Sequence, residues 1–251
     1  MPGAALSGSP GGVDLPFSAH LYSVEMTKHP WFAKILLLAL TLLLPLAGHG
    51  YAYSDELALA RLKYRGGGDW YTDPTSLSNL LRELEPTLGM PTAREEARIS
   101  IMDEGLFAYP FVYMSGHGAV EFSDEEAARL RLYLASGGFL WADDCYGMDE
   151  TFRREMRKVF PEAELVELPF SHEIYHVAYE FPQGLPKVHE HAGGPPHGYG
   201  IIYEGRLVVF YSFNTDIGDG LEDVDVHKDP PQNRQAALKI ATNIVAYALT
   251  H

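Results

Sequence analysis

FSDEEAARLRLYLASGGFLWADD, residues 122–144, holds a helix start, a helix stop and a buried strand in one stretch. Ser123 followed three residues later by Glu126 is a capping box: each side chain takes a backbone amide that the helix leaves unpaired. Ala127, Leu130 and Leu134 form one apolar stripe at helical spacing. Gly137-Gly138 ends the helix, since glycine enters the left-handed conformation of a helix stop without a Cβ clash. Phe139–Ala142 is then a short, unbroken apolar run, as expected of a strand covered on both faces. Asp143 and Asp144 close it.

The same alternation continues in both directions. Leu57–Tyr64 reads as a first strand, ending in Arg65-Gly66-Gly67-Gly68. Asp73 as N-cap and Pro74 at the first helical position open a helix to about Leu84 or Glu85, stopped by Pro86. Arg98–Met102 and Phe111–Met114 read as strands two and three. Asp149 caps a helix to about Val159, and Glu164–Leu168 is strand five. Gly200–Tyr203 and Arg206–Phe213 flank a Glu204-Gly205 turn. Gln232 to about Ala248 is a final amphipathic helix. Strands alternating with helices predict an α/β fold, an open and mostly parallel sheet with helices on both faces.

In such sheets ligands bind beyond the carboxyl ends of the strands. Those ends carry Asp69, Trp70 and Tyr71; then Ser115 and His117; then Asp143, Asp144 and Cys145; then His172; and finally Asn214 and Asp216. The gathering of aspartate and histidine on one rim is the functional signal. Asp69, Trp70, Tyr71, Ser115, His117, Asp143, Asn214 and Asp216 are the candidate ligand-binding residues. Asp144 and His172 are the candidate catalytic pair. His172, Asp144 and His117 are the candidates for a metal, and mixed carboxylate and imidazole donors suit zinc or manganese. GGGDWY, residues 66–71, lacks both G-x-G-x-x-G and a P-loop lysine, so its glycines read as a sharp turn. Trp70 and Tyr71 beside Asp69 suit a sugar ring.

RLKYRGGGDWYTDP, PFVYMSGHG, FSDEEAARLRLYLASGGFLWADD and GRLVVFYSFNTDIGDG, taken in order, resemble the family called domain of unknown function 4159. The likeness covers nearly all of the chain after Ala52. It implies a class I glutamine-amidotransferase-like fold, a flavodoxin-like three-layer sandwich, and an exported bacterial protein; it implies no activity. Amidotransferases place a nucleophilic cysteine on a G-x-C-x-G turn. Here the turn reads Asp143-Asp144-Cys145-Tyr146-Gly147, with aspartate in place of the first glycine, and the late histidine-x-glutamate pair is replaced by His189-Glu190-His191. Neighbouring carboxylates raise a thiol's pKa, against what a nucleophile needs. Cys145 is therefore expected to be a small buried residue, and glutaminase activity to be absent.

HEIYH, residues 172–176, imitates the zinc-protease motif. That motif needs a substantial helix to turn both histidines to one ion. Pro169 and Pro182 bound this segment, and Val177–Phe181 reads as extended. In an extended chain the two histidines stand about 13 Å apart, at about 3.3 Å per residue, too far for one ion. HEHAGGPPHGYG, residues 189–200, is rich in Gly, Pro and His; it reads as a mobile surface loop, with surface metal scavenging as the alternative.

Residues 1–52 are expected to be a leader and secretory signal, with Met26 as the candidate true start. Lys28 and Lys34 precede the apolar Ile35–Ala47, and Gly50-Tyr51-Ala52 fits a cleavage site. The apolar run is short for a span of about 30 Å. An uncleaved anchor to the inner membrane is the alternative to a periplasmic or secreted protein. Residues 53–251 then form one domain, large enough for a core without disulfides. The leader holds two basic and two acidic side chains, so the net charge of −15 belongs to the rest. That charge argues against nucleic acid as a partner. No cofactor is implied. Three functions remain open: a small-ligand-binding domain with carbohydrate as the candidate class, an Asp/His-dependent hydrolase with or without a metal, and an envelope interaction module.

Overall fold

The computed structural model describes residues 56–251; the leader, the apolar run and the cleavage motif lie outside the described residues. Seven strands form one sheet in the order β2-β1-β3-β4-β7-β6-β5. They are β1 (Ala60–Lys63), β2 (Ala97–Ser100), β3 (Phe111–His117), β4 (Phe139–Tyr146), β5 (Val166–Glu167), β6 (His197–Tyr203) and β7 (Arg206–Phe213). Strands β2, β1, β3, β4 and β7 run parallel; β6 is antiparallel to β7, and β5 to β6. The helices are α1 (Ser76–Leu88), α2 (Asp124–Ala135), α3 (Asp149–Val159), α4 (Ile217–Leu221) and α5 (Pro231–Thr250). This is a mixed α/β sandwich of the flavodoxin-like kind.

Strand alternation sorts the core into two layers. Phe111, Tyr113, Phe139, Trp141 and Phe210 pack with Leu77, Leu80 and Leu84 of α1 and Ile240 and Ile244 of α5. Val112, Met114, Leu140, Ala142 and Tyr211 pack with Leu130 and Leu134 of α2 and Phe152 and Met156 of α3. Both reciprocal bonds of the capping box at Ser123 and Glu126 are present. Glu204 and Gly205 both take positive φ in the β6–β7 turn, the backbone a tight hairpin requires.

Three local expectations are corrected. Asp73 does not cap α1. The N-cap is Thr75, and the Glu222 carboxylate, nearly 150 residues away, accepts from Thr75 N and Ser76 N. That long-range cap leaves the Asp73 carboxylate off the helix, where Thr72 Oγ1 and Cys145 Sγ approach it. Pro86 does not stop α1, because it falls in the last turn; Gly89, left-handed with its N–H on Glu85 O, ends the helix. Val177–Phe181 forms no strand, and β5 keeps only two residues, since Pro169 follows and the chain turns into a short 3-10 turn at Glu173–Tyr175.

The link from β1 to α1 is held by Arg61, which is fully buried. Its Nε donates to Glu96, Nη1 to Thr72 O, and Nη2 to Asp73 O and Ser76 Oγ. Removing one partner of a buried pair strands the other, at a cost of about 3–5 kcal/mol. Arg61→Met is therefore expected to lower the urea unfolding free energy by about that much. Arg98→Met, which removes a half-exposed partner of the same Glu96, should cost less than about 1 kcal/mol. Equal effects of the two substitutions would count against this account.

Candidate functional site

Sheet order alone locates the site. The chain leaves β1 toward β2 on one side and returns to β3 on the other, so a crevice opens between β1 and β3 at their carboxyl ends. The β1 loop passes close to the β3 loop there: Gly68 N donates to Ala119 O, and Asp69 N to His117 O. A Cβ at Gly66 would lie 2.7 Å from Ala119 O, so this approach needs glycine.

Asp73 emerges from the β1 loop with φ of +52°, a conformation rare for a non-glycine residue. Across from it, Asp216 and Asp219 flank the start of α4. A Cβ at Gly218 would meet Asp73 Oδ2 at 2.5 Å and the Tyr113 hydroxyl at 2.8 Å. At Gly220 it would meet Val188 Cγ1 at 2.5 Å. Glycine on both sides of Asp219 thus lets α4 wedge that carboxylate into the crevice. Cys145 Sγ lies 3.8 Å from Asp73 Oδ2.

Three imidazoles meet these carboxylates. His191 Nε2 stands 2.7 Å from Asp216 Oδ2. His227 Nδ1 stands 3.2 Å from Asp219 Oδ2, and His189 Nδ1 3.0 Å from Asp229 Oδ1. Asp73, Asp216 and Asp219 are at most 4% exposed. Even so, no N–H or O–H donor among the described residues satisfies either oxygen of Asp216 or Oδ2 of Asp219; the Cys145 thiol lies close to Asp216 and the Asp73 carboxyl close to Asp219. Burial first, then mutual repulsion, pushes the Asp216 and Asp219 carboxyls well up. The His191 imidazole is pushed down by burial and by the other histidines.

The loop carrying His189 and His191 is tethered, in contrast to the mobile loop expected from its composition. Val188 N and His189 N both donate to Thr215 O. Lys187 Nζ donates to Ala192 O and to Asn214, whose Nδ2 donates to carbonyls of Gly193, Gly194 and Pro195. Asn214 is therefore an anchor of the histidine loop.

The other rim residues separate into groups. Asp69 Oδ2 lies 3.1 Å from His117 Nδ1, and its Oδ1 accepts a short bond from His117 N, so one carboxylate orients both ring and backbone. The His117 ring stands edge-on to His191, 5.4 Å between centroids. Ser115 is buried, its Oγ 3.9 Å from Cys145 Sγ. Tyr71 is largely exposed, while Trp70 packs against the core layer of α2 and α3. Asp143 is fully buried, with Oδ1 accepting from Ser212 Oγ and Oδ2 from Gly218 N. Both of its oxygens are committed to holding β7 and α4.

Asp144 and His172 are not brought into the cluster. Strand alternation turns Asp144 to the opposite face from Asp143 and Cys145; its Oδ1 accepts from Met148 N at the start of α3, and burial pushes its carboxyl up to about 6. The His172 ring lies tilted against Tyr247, 5.5 Å between centroids, and Tyr247 packs on Phe139, the first residue of β4, at the amino end of the sheet. It was expected on the rim; the turn after Pro169 carries it away. His176 has both ring nitrogens occupied, by Glu180 at 2.6 Å and by Phe170 O at 2.8 Å, so the two histidines of HEIYH do not share an ion.

Sequence reasoning missed Asp73, Asp219, Asp229 and His227 as site residues, and gave His189 and His191 only surface metal scavenging as the alternative to a mobile loop. Asp73 was assigned to a cap that Glu222 supplies. The GDG triplet around Asp219 and the alternate histidines of HEH were the available signals.

The family described as Domain of unknown function (DUF4159) matches residues 58–249, and the chain belongs to it. No curated protein matches the sequence.

Burial pushes the Asp143 carboxyl up to about 7, against the hydrogen bonds from Ser212 and Gly218 that pull it down. An unfolded aspartate loses its proton near pH 4 (about 3.9). Between those values the native chain binds more protons, so Asp143 stabilises fully below about pH 4 and its contribution is lost as pH rises through about 7. Chelator-treated protein should therefore lose melting temperature across that window, and Asp143→Asn should lose less. An identical pH dependence in the two proteins would refute the assignment.

Proposed function

We propose that this chain is an exported, divalent-metal-dependent hydrolase of small substrates. The carrying observation is the set of buried carboxylate oxygens of Asp216 and Asp219, without hydrogen bonds, facing His191 and His227 at the carboxyl ends of parallel strands. Buried carboxylates without partners require either protons or a cation. Imidazole and carboxylate donors together suit zinc or manganese. Such an ion polarises a carbonyl or phosphoryl oxygen and lowers the pKa of its bound water. Beside it, His117 is oriented through Nδ1 by Asp69, and its Nε2 makes no protein hydrogen bond among the described residues. It is the proton carrier of this reading. Export is supported by the Met26–Ala52 pattern, basic start, apolar run and small cleavage residues.

Kinship with class I amidotransferases is supported by the parallel strand order and by Cys145 at the carboxyl end of β4. Glutaminase activity is not part of the proposal. Cys145 is buried, and burial together with Asp216, Asp73 and Asp143 pushes its thiol well up, the reverse of a nucleophile's needs.

A second reading is a carbohydrate-binding site without turnover. Two exposed aromatics favour it: Tyr71 beside Asp69, and Tyr146, whose ring lies 6.1 Å from that of His191. Sugar rings stack on such faces.

Elemental analysis of the untagged chain after incubation with zinc or manganese tests the metal. Near-stoichiometric metal is expected, with affinity at the His191 donors lowered at least tenfold in Asp216→Asn and His191→Ala and unchanged in His172→Ala. Absence of metal from the parent protein would sink the proposal. For the hydrolase itself, the visible spectrum of the cobalt-substituted protein should change with one proton near neutral pH, as a bound water ionises. A pH-independent spectrum would leave the sugar-binding reading in its place.

A further inference from the structure

The donors fall into two sets that share one residue. His189, His191 and Asp219 offer ligand atoms within 4.8 Å of one another; so do Asp73, Asp219 and His227. Asp219 Oδ2 lies between them, 3.8 Å from His189 Nδ1, 3.9 Å from His191 Nε2 and 3.2 Å from His227 Nδ1. That oxygen is buried and makes no hydrogen bond, and Asp219 is 2% exposed. Asp216, equally buried and with neither oxygen bonded, stands against His191 on the first set.

The donor chemistry points the same way. Asp73, Asp216, Asp219 and Asp229 lie together with side chains no more than 6% exposed. Lys187 is committed to Asn214 and the Ala192 carbonyl. The side chains that face the four carboxylates are His189, His191 and His227, whose neutral imidazoles are metal ligands.

We propose that the site holds two divalent cations bridged by Asp219, one on His189 and His191 with Asp216 beside it, the other on His227 and Asp73. This rests on the metal reading above and deepens it. A carboxylate bridge holds two ions close enough to act on one substrate, one presenting the attacking oxygen and the other the departing one. The third donor set, Asp73, Cys145 and Asp216, draws its two carboxylates from these same groups and adds only the buried Cys145.

The test is metal stoichiometry on the full-length chain, untagged and stripped with chelator, dialysed separately against zinc and manganese. Two ions per chain are expected. His227→Ala and His191→Ala should each retain one, with the native circular dichroism spectrum. The manganese-loaded parent should show the magnetic resonance spectrum of a coupled pair, and Asp219→Asn should lose that coupling. No bound metal overturns both this proposal and the metal hydrolase. One ion per chain, with an isolated-manganese spectrum, overturns the pair and leaves the hydrolase standing. Two ions that both survive the histidine substitutions belong to the acidic surface and overturn it as well. Should the variants fail to fold, the stoichiometry and spectrum of the parent decide alone.

Discussion

Repulsion among buried carboxylates is the constraint on which the rest of this site depends. Two like charges about 4 Å apart cost about 4 kcal/mol at the effective dielectric of a protein rim. Asp73, Asp216 and Asp219 accept that proximity while nearly excluded from water. A fold that needed only stability would fill the crevice with apolar side chains. Instead the β1 loop and the start of α4 are held so that these groups converge, and each holding interaction is itself polar and buried.

Arg61 is the first of these holds. Its guanidinium fixes the carbonyls of Thr72 and Asp73, and so sets the direction in which the Asp73 side chain leaves the backbone. Glu222 is the second: by capping α1 from the far end of the chain it closes the α4 region over the β1 loop. Asp143 is the third, through Ser212 and Gly218. These contacts need no ligand, so the carboxylates are positioned before any cation arrives. For the proposed metal site such preorganisation would strengthen affinity, because the cost of gathering the charges is met by the folding of the sheet.

Much of this was legible in the sequence. The capping box at Ser123, the double-glycine stop and the apolar run Phe139–Ala142 act over a few residues, and periodicity reports such interactions directly. The rim at the strand ends was legible for the same reason, which put Asp69, His117, Asp143 and Asp216 in one region. The partners within that region were not. Asp73 looked like a helix cap because the true capping group, Glu222, is distant in sequence. Asp144 looked equivalent to Asp143, yet one residue along a strand reverses the face. His172 followed a strand whose pairing ended after two residues, and the chain left the rim. His189, His191 and His227 sit in irregular segments whose positions depend on backbone contacts to Thr215 and on neighbouring loops, and no local period encodes those.

The loops that carry the histidines share one support. Val188 and His189 hang from the Thr215 carbonyl, Asn214 ties the residues that follow, and Glu222 leads directly into the segment bearing His227. Residues 214–222 thus hold both histidine loops and supply Asp216 and Asp219. A cation at Asp219 would link that segment to each loop at once, adding bonds where backbone contacts are fewest. Without an ion the site holds protonated carboxyls on the sheet below, and the loop of His189 and His191 keeps its hydrogen bonds to Thr215, Asn214 and Lys187.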